Sequence, residues 1–176
     1  MEKIEIRKSE LTDLENLRAI GMQTFIETFG EMNTQENMAK YLSESFNEER
    51  LRSELTNPDS VIYFAILENQ FIGYVKLNFG EAQTEIKDQK SLEIERIYVL
   101  KEYYGKGVGQ VLYNTALDIA RQKKVEAVWL GVWEENPRAI SFYKKNGFVE
   151  FDKHVFILGD DVQTDIMMKL DLESSL

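Results

Sequence analysis

A chain of 176 residues with 43% hydrophobic and 30% charged residues has the size and composition of one folded domain with its own apolar core. With no cysteine and a single histidine, His154, it excludes a disulfide framework, a cysteine nucleophile and a thiolate or imidazole-rich metal site, so we expect no metal. A net charge of −10 opposes binding to nucleic acids or to anionic membranes and favours cationic partners.

The start of the chain and its hydropathy give no indication of a secretory signal or a membrane segment. The first five residues lack the apolar stretch of a secretory signal, and the longest uncharged apolar run, residues 61–67, is too short to cross a bilayer. We expect a cytoplasmic protein in which residues 1–172 form a single domain and residues 173–176 a C-terminal tail.

The first third of the chain predicts a strand followed by helices. Residues 4–6 alternate as in a short strand, and Thr12 with Glu15 matches the capping box that opens a helix. Residues 34–56 carry further helical spacing. The inward stripe of the first helix comprises Leu14, Leu17, Gly21 and Phe25.

The middle of the chain predicts a hairpin and then a crossover. Two β-branched and aromatic runs, 61–67 and 71–77, are separated by three polar residues and predict the hairpin. After a polar loop at 80–90, strands at 92–99 and 125–132 enclose a helix that begins after a glycine-rich turn. A strand–helix–strand crossover makes the two strands parallel.

A second helix has explicit boundaries, with Asn136 as N-cap, Pro137 in the first position and Gly147 as the stop. Strands predicted at 148–158 and 164–170 complete the element order β-α-α-β-β-β-α-β-α-β-β. The sequence therefore predicts a mixed α/β fold.

The glycine-rich turn, residues 105–109, predicts an anion site. Glycines allow positive φ and close approach of a ligand, and the free N–H groups of the following helix point out of the turn. Lys101 and Lys106 would reverse the negative potential there. A Walker loop and a dinucleotide-binding fingerprint both fit the spacing poorly, and a tight turn without a ligand stays open as an alternative.

Two motifs resemble those of one family. Residues 97–109, IYVLKEYYGKGVG, resemble the acetyl-CoA motif of the GCN5-related N-acetyltransferases, the GNAT family, and residues 136–148, NPRAISFYKKNGF, resemble its second motif. Among members, residues 91–99 and 129–134 look most similar to the Pai-type spermidine/spermine acetyltransferases. Tyr104 departs from the pattern, because the family usually places Arg or Gln there.

The resemblance implies a mixed, mostly antiparallel sheet of six or seven strands flanked by helices. Acetyl-CoA, the cosubstrate, would lie between a splayed parallel pair of strands, with its pyrophosphate on the amides of the glycine turn. Members of the family are often homodimers. The residues that would contact acetyl-CoA are Ile97, Tyr98, Val99, Tyr104, Gly105, Lys106, Gly107, Val108, Gly109, Gln110, Asn136 and Tyr143.

Catalysis would need a base and an acid. Glu95 matches the position of a glutamate in related polyamine acetyltransferases and would take the proton of the amine, with Glu93 as the weaker alternative. Both are expected on the same strand face as Ile97 and Val99. Tyr143 matches the tyrosine that protonates the departing CoA thiolate. A carboxylate paired with Arg96 and a buried structural tyrosine are the alternative interpretations.

The expected activity is acetyl transfer from acetyl-CoA to a primary amine, most simply a polyamine such as spermidine or spermine. A protein N-terminus or lysine as acceptor and a non-catalytic acyl-CoA-binding module remain alternatives. Carboxylates along a groove would hold a long polycation. The candidate acceptor-binding residues are Glu27, Glu31, Trp133, Glu134 and Glu135.

Overall fold

A computed structural model describes residues 3–172 as a single seven-stranded sheet with helices on both faces. The strands follow the order β1-β2-β3-β4-β5-β7-β6 across the sheet, and every neighbouring pair is antiparallel except β4 and β5. The strands are β1 (Glu5–Lys8), β2 (Ser60–Leu67), β3 (Gln70–Phe79), β4 (Ser91–Val99), β5 (Ala127–Trp133), β6 (Val149–Leu158) and β7 (Asp161–Asp171).

Within residues 3–172, five α-helices connect these strands: α1 (Leu14–Phe29), α2 (Gln35–Ser45), α3 (Glu48–Thr56), α4 (Val108–Gln122) and α5 (Pro137–Lys145). The mixed fold, the hairpin and the parallel crossover are thus confirmed. The predicted C-terminal tail, 173–176, lies outside the described residues. None of the helices within residues 3–172 is both long and apolar enough to span a membrane.

Two details of the helical region differ from the sequence prediction. The segment 34–56 forms two helices, because Asn47 accepts a hydrogen bond from the Arg50 N–H at 2.8 Å and so caps a new helix. The predicted capping box of Thr12 and Glu15 is wrong. Asp13 instead accepts a hydrogen bond from the Glu10 N–H at 2.8 Å, around a 3-10 turn that precedes α1.

The sheet divides the apolar interior into two clusters. One cluster packs α4 and α5 against the sheet and contains Ile94, Leu112 and Leu130. The other packs α1, α2 and α3 against the opposite face and contains Leu17 and Phe64. A residue of β4 or β5 can therefore be assigned to a face by the cluster it joins.

The start of α1 is attached to β1 by an ion pair, and this attachment orients the helix whose C-terminal end reaches the cleft described below. The side chains of Arg7 and Asp13 lie 2.9 Å apart, with Asp13 almost fully buried. The hydrogen bond from Arg7 lowers the pKa of Asp13 to about 2, although burial opposes the shift.

Replacing Asp13 by Asn tests this attachment. A carboxyl whose pKa is lowered by folding stabilises the fold above its unfolded pKa, near 3.9, and that stabilisation is lost as the pH falls towards the folded pKa. We expect Asp13→Asn to reduce the free energy of unfolding by about 1–2 kcal/mol at pH 7, allowing for solvent at Arg7, and by less at pH 3. Urea denaturation at both pH values measures the difference.

Glu15→Gln is the control, because Glu15 forms only an exposed pair with Arg18 at 3.2 Å. Losses of equal size at pH 7 and pH 3 would contradict the electrostatic explanation for Asp13.

Candidate active site

A cleft opens where the parallel strands β4 and β5 separate. The two strands pair only over residues 91–93 and 127–129, whereas β4 continues to Val99 and β5 to Trp133. Beyond that point β4 stays paired with β3 and β5 with β7, so the edges that face each other have no strand between them. The resulting cleft, of about 380 Å³, leaves main-chain groups of both strands free to bind a ligand.

The glycine turn forms one end of the cleft. Gly105 and Gly107 have φ values of 77° and 84°, the left-handed region that favours glycine, and Gly107 is the N-cap of α4. A Cβ atom added at either glycine would meet no atom within 4 Å, so the main chain there is open to a ligand.

The first turn of α4 presents unpaired N–H groups at this opening. The Val111 N–H donates to the Gly107 carbonyl at 3.1 Å, and no side chain caps the helix start. The N–H groups of residues 108–110 are therefore the free donors of the helix, at the positive end of its dipole. The geometry fits a phosphate group.

Glu95 lies at a β-bulge in the wall of the cleft. Lys76 pairs with Arg96 and Leu77 with Ile94, so Glu95 is the extra residue of β4. The bulge reverses the alternation: Ile94 and Ile97 both pack on the side of α4, and Tyr98 packs on the side of α1 to α3. The prediction that Glu93 and Glu95 share a face with Ile97 and Val99 is wrong for this reason.

Glu95 lies in a buried network of charges on the side of α1 to α3, opposite to Ile94, and the bulge brings Arg96 to the same side. Its Oε2 lies 2.9 Å from Lys76 Nζ and 3.2 Å from Arg96 Nε. Glu54 of α3 pairs with the same two cations, at 2.8 Å and 2.6 Å. Burial alone would raise the pKa of the Glu95 carboxyl, but Arg96 and Lys76 together lower it below its ordinary value. Glu95 is therefore held ionised.

Glu93 has a different environment. It is 3% exposed and accepts hydrogen bonds from the Asn78 amide, the Thr84 N–H and the Thr84 hydroxyl, at 3.0, 2.8 and 2.6 Å. Glu93 does not line the cleft, whereas Glu95 does. These hydrogen bonds give Glu93 a structural role in anchoring the 80–90 loop to β4.

Tyr143 enters the cleft from the opposite side of the sheet. It lies on α5, where Asn136 accepts a hydrogen bond from the Ala139 N–H at 3.2 Å and so acts as the predicted N-cap. Tyr143 packs with the α4 cluster and lines the cleft. Burial raises the pKa of its hydroxyl well above the ordinary value, so the group keeps its proton at neutral pH.

Aromatic side chains form the wall of the cleft on the side of α1 to α3. The rings of Phe29 and Trp133 lie 4.8 Å apart between centroids, and both line the cleft. The Trp133 Nε1–H donates to Gln163 Oε1 at 2.9 Å, which fixes the indole. An aromatic wall beside an ionised carboxylate suits the aliphatic chain and the charge of an alkyl ammonium ion.

Comparison with known proteins decides the family. A model of the Acetyltransferase (GNAT) family matches residues 24–148. An uncharacterized N-acetyltransferase of Lactobacillus delbrueckii subsp. lactis is 41% identical over 96% of this chain and 98% of its own length. The crystal structure of PaiA N-acetyltransferase from Thermoplasma acidophilum in complex with coenzyme A has a TM-score of 0.79 and 26% identity, covering 97% of this chain and 99% of that one.

The chain belongs to the GNAT family of acetyltransferases. It is a GNAT-type N-acetyltransferase with acetyl-CoA as its cosubstrate, and its similarity to PaiA confirms the predicted resemblance to Pai-type members. A spermidine N(1)-acetyltransferase of Thermoplasma acidophilum is a more distant relative, 28% identical over 82% of this chain and 88% of its own length. The seven-stranded sheet with its parallel β4–β5 pair is the GNAT fold.

The structure brings most of the predicted cofactor residues to one cleft. Glu95 and Tyr143 line it as well, one from each side of the sheet. Among the cofactor residues Lys106 does not line the cleft. The cleft-lining residues from that prediction are Ile97, Tyr98, Val99, Tyr104, Gly105, Gly107, Val108, Gly109, Gln110, Asn136 and Tyr143.

Only one of the residues predicted to bind the acceptor lines the cleft. Trp133 lines the cleft, but Glu27, Glu31, Glu134 and Glu135 do not. Glu27 accepts a hydrogen bond from the Lys101 N–H at 3.0 Å, and Glu31 lies 3.8 Å from Lys101 Nζ. Acceptor binding by these four glutamates stays a prediction for which the structure adds no contact.

Other carboxylates lie beside the cleft that sequence reasoning did not single out. His154 lies between Glu85 and Asp165, at 3.2 Å and 3.4 Å, and a Cβ atom on Gly131 would lie 3.4 Å from both His154 and Asp165. Gly131 lines the cleft. Burial raises the pKa of Asp165, and Glu85 raises it further while His154 opposes the shift. His154 and Asp165 are partners across the β6–β7 hairpin, whereas Glu85 comes from the distant 80–90 loop, so no local pattern could have joined Glu85 to them.

Replacing Lys76 by Met tests the charge network around Glu95. Because Lys76 lowers the pKa of the Glu95 carboxyl, its removal should raise that pKa. A carbon-13 NMR titration of the glutamate carboxyl groups measures the shift. Lys87→Met, which removes an exposed cation 3.7 Å from Glu81, is the matched control and should leave Glu95 unchanged. An unchanged Glu95 titration in Lys76→Met would contradict the assignment of its pKa to the network.

Proposed function

We propose that the enzyme acetylates a primary amine of a polyamine, such as spermidine or spermine, with residues 1–172 acting as a single catalytic domain. The observation that carries this proposal is the polarity of the cleft. An ionised carboxylate, Glu95, lies on the side of α1 to α3, and a protonated hydroxyl, Tyr143, lies on the side of α4 and α5.

In this proposal the acetyl-CoA phosphates bind the free N–H groups of residues 108–110, and the thioester lies between β4 and β5. A main-chain N–H near Ile97 or Tyr98 donates to the thioester carbonyl and stabilises the negative charge that develops on its oxygen. The neutral amine attacks the carbonyl carbon directly, because the chain has no cysteine to form a covalent acetyl intermediate.

Proton transfers at two groups complete the reaction. An alkyl ammonium ion with a pKa of about 10.4 costs about 4.6 kcal/mol to deprotonate at pH 7, so a base is needed. Glu95 takes this proton through a water molecule and passes it to solvent, and the nitrogen loses its second proton by the same route once the amine has attacked. Tyr143 donates a hydrogen bond and a proton to the departing CoA thiolate and regains its proton from solvent. The base, Glu95, thus acts on the amine from the side of α1 to α3, and the acid, Tyr143, acts on the CoA thiolate from the side of α4 and α5.

Charge on the acceptor side supports a polycation rather than a monoamine. Asp165 does not line the cleft but lies next to Gly131, which does, and His154 lies between Asp165 and a further carboxylate, Glu85. A second ammonium group of a polyamine would be attracted to them while the first is acetylated. The name of the Thermoplasma relative, a spermidine N(1)-acetyltransferase, points to the same substrate class.

A panel of acceptors tests the substrate class. Purified enzyme with acetyl-CoA should release CoA thiol with spermidine and spermine at a higher kcat/KM than with monoamines or peptides. Asp165→Asn should raise KM for spermidine more than KM for a monoamine, while Asp160→Asn, in the exposed turn between β6 and β7, should change neither. Selective turnover of peptides would favour a protein acceptor instead. Tight CoA binding without thiol release from any amine would favour a regulatory acyl-CoA-binding module.

Glu95→Gln tests the base. We expect kcat/KM to fall at pH 7 and the loss to shrink as the pH rises towards 10, because the amine then loses its proton without help. Glu93→Gln is the comparison variant, and its pH profile should run parallel to that of the wild type, since Glu93 is outside the cleft. A loss of equal size at every pH in Glu95→Gln would contradict its role as base.

A further inference from the structure

Arg138 lies in the first turn of α5 and is stacked on an aromatic ring beside the glycine turn. Its guanidinium carbon lies 3.7 Å from the centroid of the Tyr104 ring, and both residues line the cleft. Tyr104 directly precedes Gly105, so this stack holds the guanidinium next to the left-handed turn and the start of α4. Planar stacking of Arg on an aromatic face restricts the guanidinium to one orientation.

Arg138 also lacks an anionic partner within the described part of the chain. The ion pairs formed among residues 3–172 do not include it, although Asp and Glu number 31 against 21 Lys and Arg. The Tyr104 ring holds this guanidinium beside the cleft, and without a carboxylate to neutralise it the charge is available to an anion bound there. The free N–H groups of residues 108–110 open into the same cleft and favour an anion as well.

The sequence predicted that two lysines, Lys101 and Lys106, would attract an anion to the glycine turn, but neither of them faces the cleft. Lys101 lies 3.8 Å from Glu31, and Lys106 lies over the Tyr103 ring at 5.4 Å, and neither lines the cleft. Arg138 is thus in a better position than either lysine to reverse the local negative potential.

We propose that Arg138 binds a phosphate group of acetyl-CoA and that Tyr104 is the positioning residue that holds the guanidinium in place. A guanidinium offers two parallel donors that match two phosphate oxygens, which an ammonium cannot reproduce. Tyr104 therefore contributes a flat surface for Arg138 rather than a hydrogen bond to the ligand. The inference rests on the CoA site proposed at the glycine turn and is independent of the acceptor amine.

Isothermal titration calorimetry with CoA tests the proposal. Arg138→Ala should weaken CoA binding about 10- to 100-fold, the range for losing a hydrogen bond between charged groups, and should make the dependence of Kd on salt shallower. Arg138→Lys should recover part of the loss. Tyr104→Phe should bind like the wild type, while Tyr104→Ala should weaken binding, because only the second change removes the ring. Arg121→Ala, at an exposed position in the last turn of α4, is the control.

Two further ligands distinguish the loss of a phosphate contact in Arg138→Ala from a general defect of the variant enzyme. S-acetylpantetheine has no phosphate, so wild type and Arg138→Ala should use it with equal kcat/KM. Dephospho-CoA lacks only the 3′-phosphate: if the loss disappears with this ligand, Arg138 binds the 3′-phosphate, and if it persists, Arg138 binds the diphosphate.

Unchanged CoA binding in Arg138→Ala, or an equal loss with S-acetylpantetheine, would overturn the proposal. If the wild type itself does not bind CoA, the CoA site at the glycine turn fails along with it. If the wild type binds CoA and Arg138→Ala binds it equally well, the role of Arg138 alone is wrong.

Discussion

The separation of β4 from β5 is the constraint on which the rest of the site depends. A parallel pair that is hydrogen-bonded over only three residues on each strand must leave main-chain donors and acceptors unpaired beyond that point. Each strand can separate without losing its place in the sheet, because β3 and β7 hold their outer edges. The helix that crosses between the two strands then begins at the mouth of the gap, which brings its free N–H groups to the same cleft.

The bulge at Glu95 determines which side chains of β4 lie on each face of the sheet beside the cleft. Regular alternation after Glu95 would place Arg96 on the face of α4, among apolar side chains, and Ile97 on the face of Glu95. The bulge instead keeps Arg96 on the face of Glu95, in the network with Lys76 and Glu54 of α3, and returns Ile97 to the face of α4. The base and the acid thus approach the cleft from opposite faces, so the proton transfers of the proposed reaction need not compete for one group.

Much of this arrangement could be predicted from the sequence, because it depends on local signals. The capped helix from Asn136, the glycine turn and the crossover each have their own residue pattern, and two family motifs fixed their roles. The bulge has no such pattern, since it arises from the register between β3 and β4. The stacking of Arg138 on Tyr104 and the contact of Glu85 with His154 join segments far apart in the chain, so only the folded structure shows them. Glu27 and Glu31 both contact Lys101, one at its main-chain N–H and the other at its ammonium group, and these contacts too join segments far apart in the chain.

A crystal structure of the enzyme with bound CoA tests the central claim most directly. The account predicts that the diphosphate accepts hydrogen bonds from main-chain N–H groups within residues 105–110 and that the thiol lies in the gap between β4 and β5, with Glu95 on one side and Tyr143 on the other. A coenzyme bound outside this gap, or a diphosphate held without contact to those N–H groups, would contradict it.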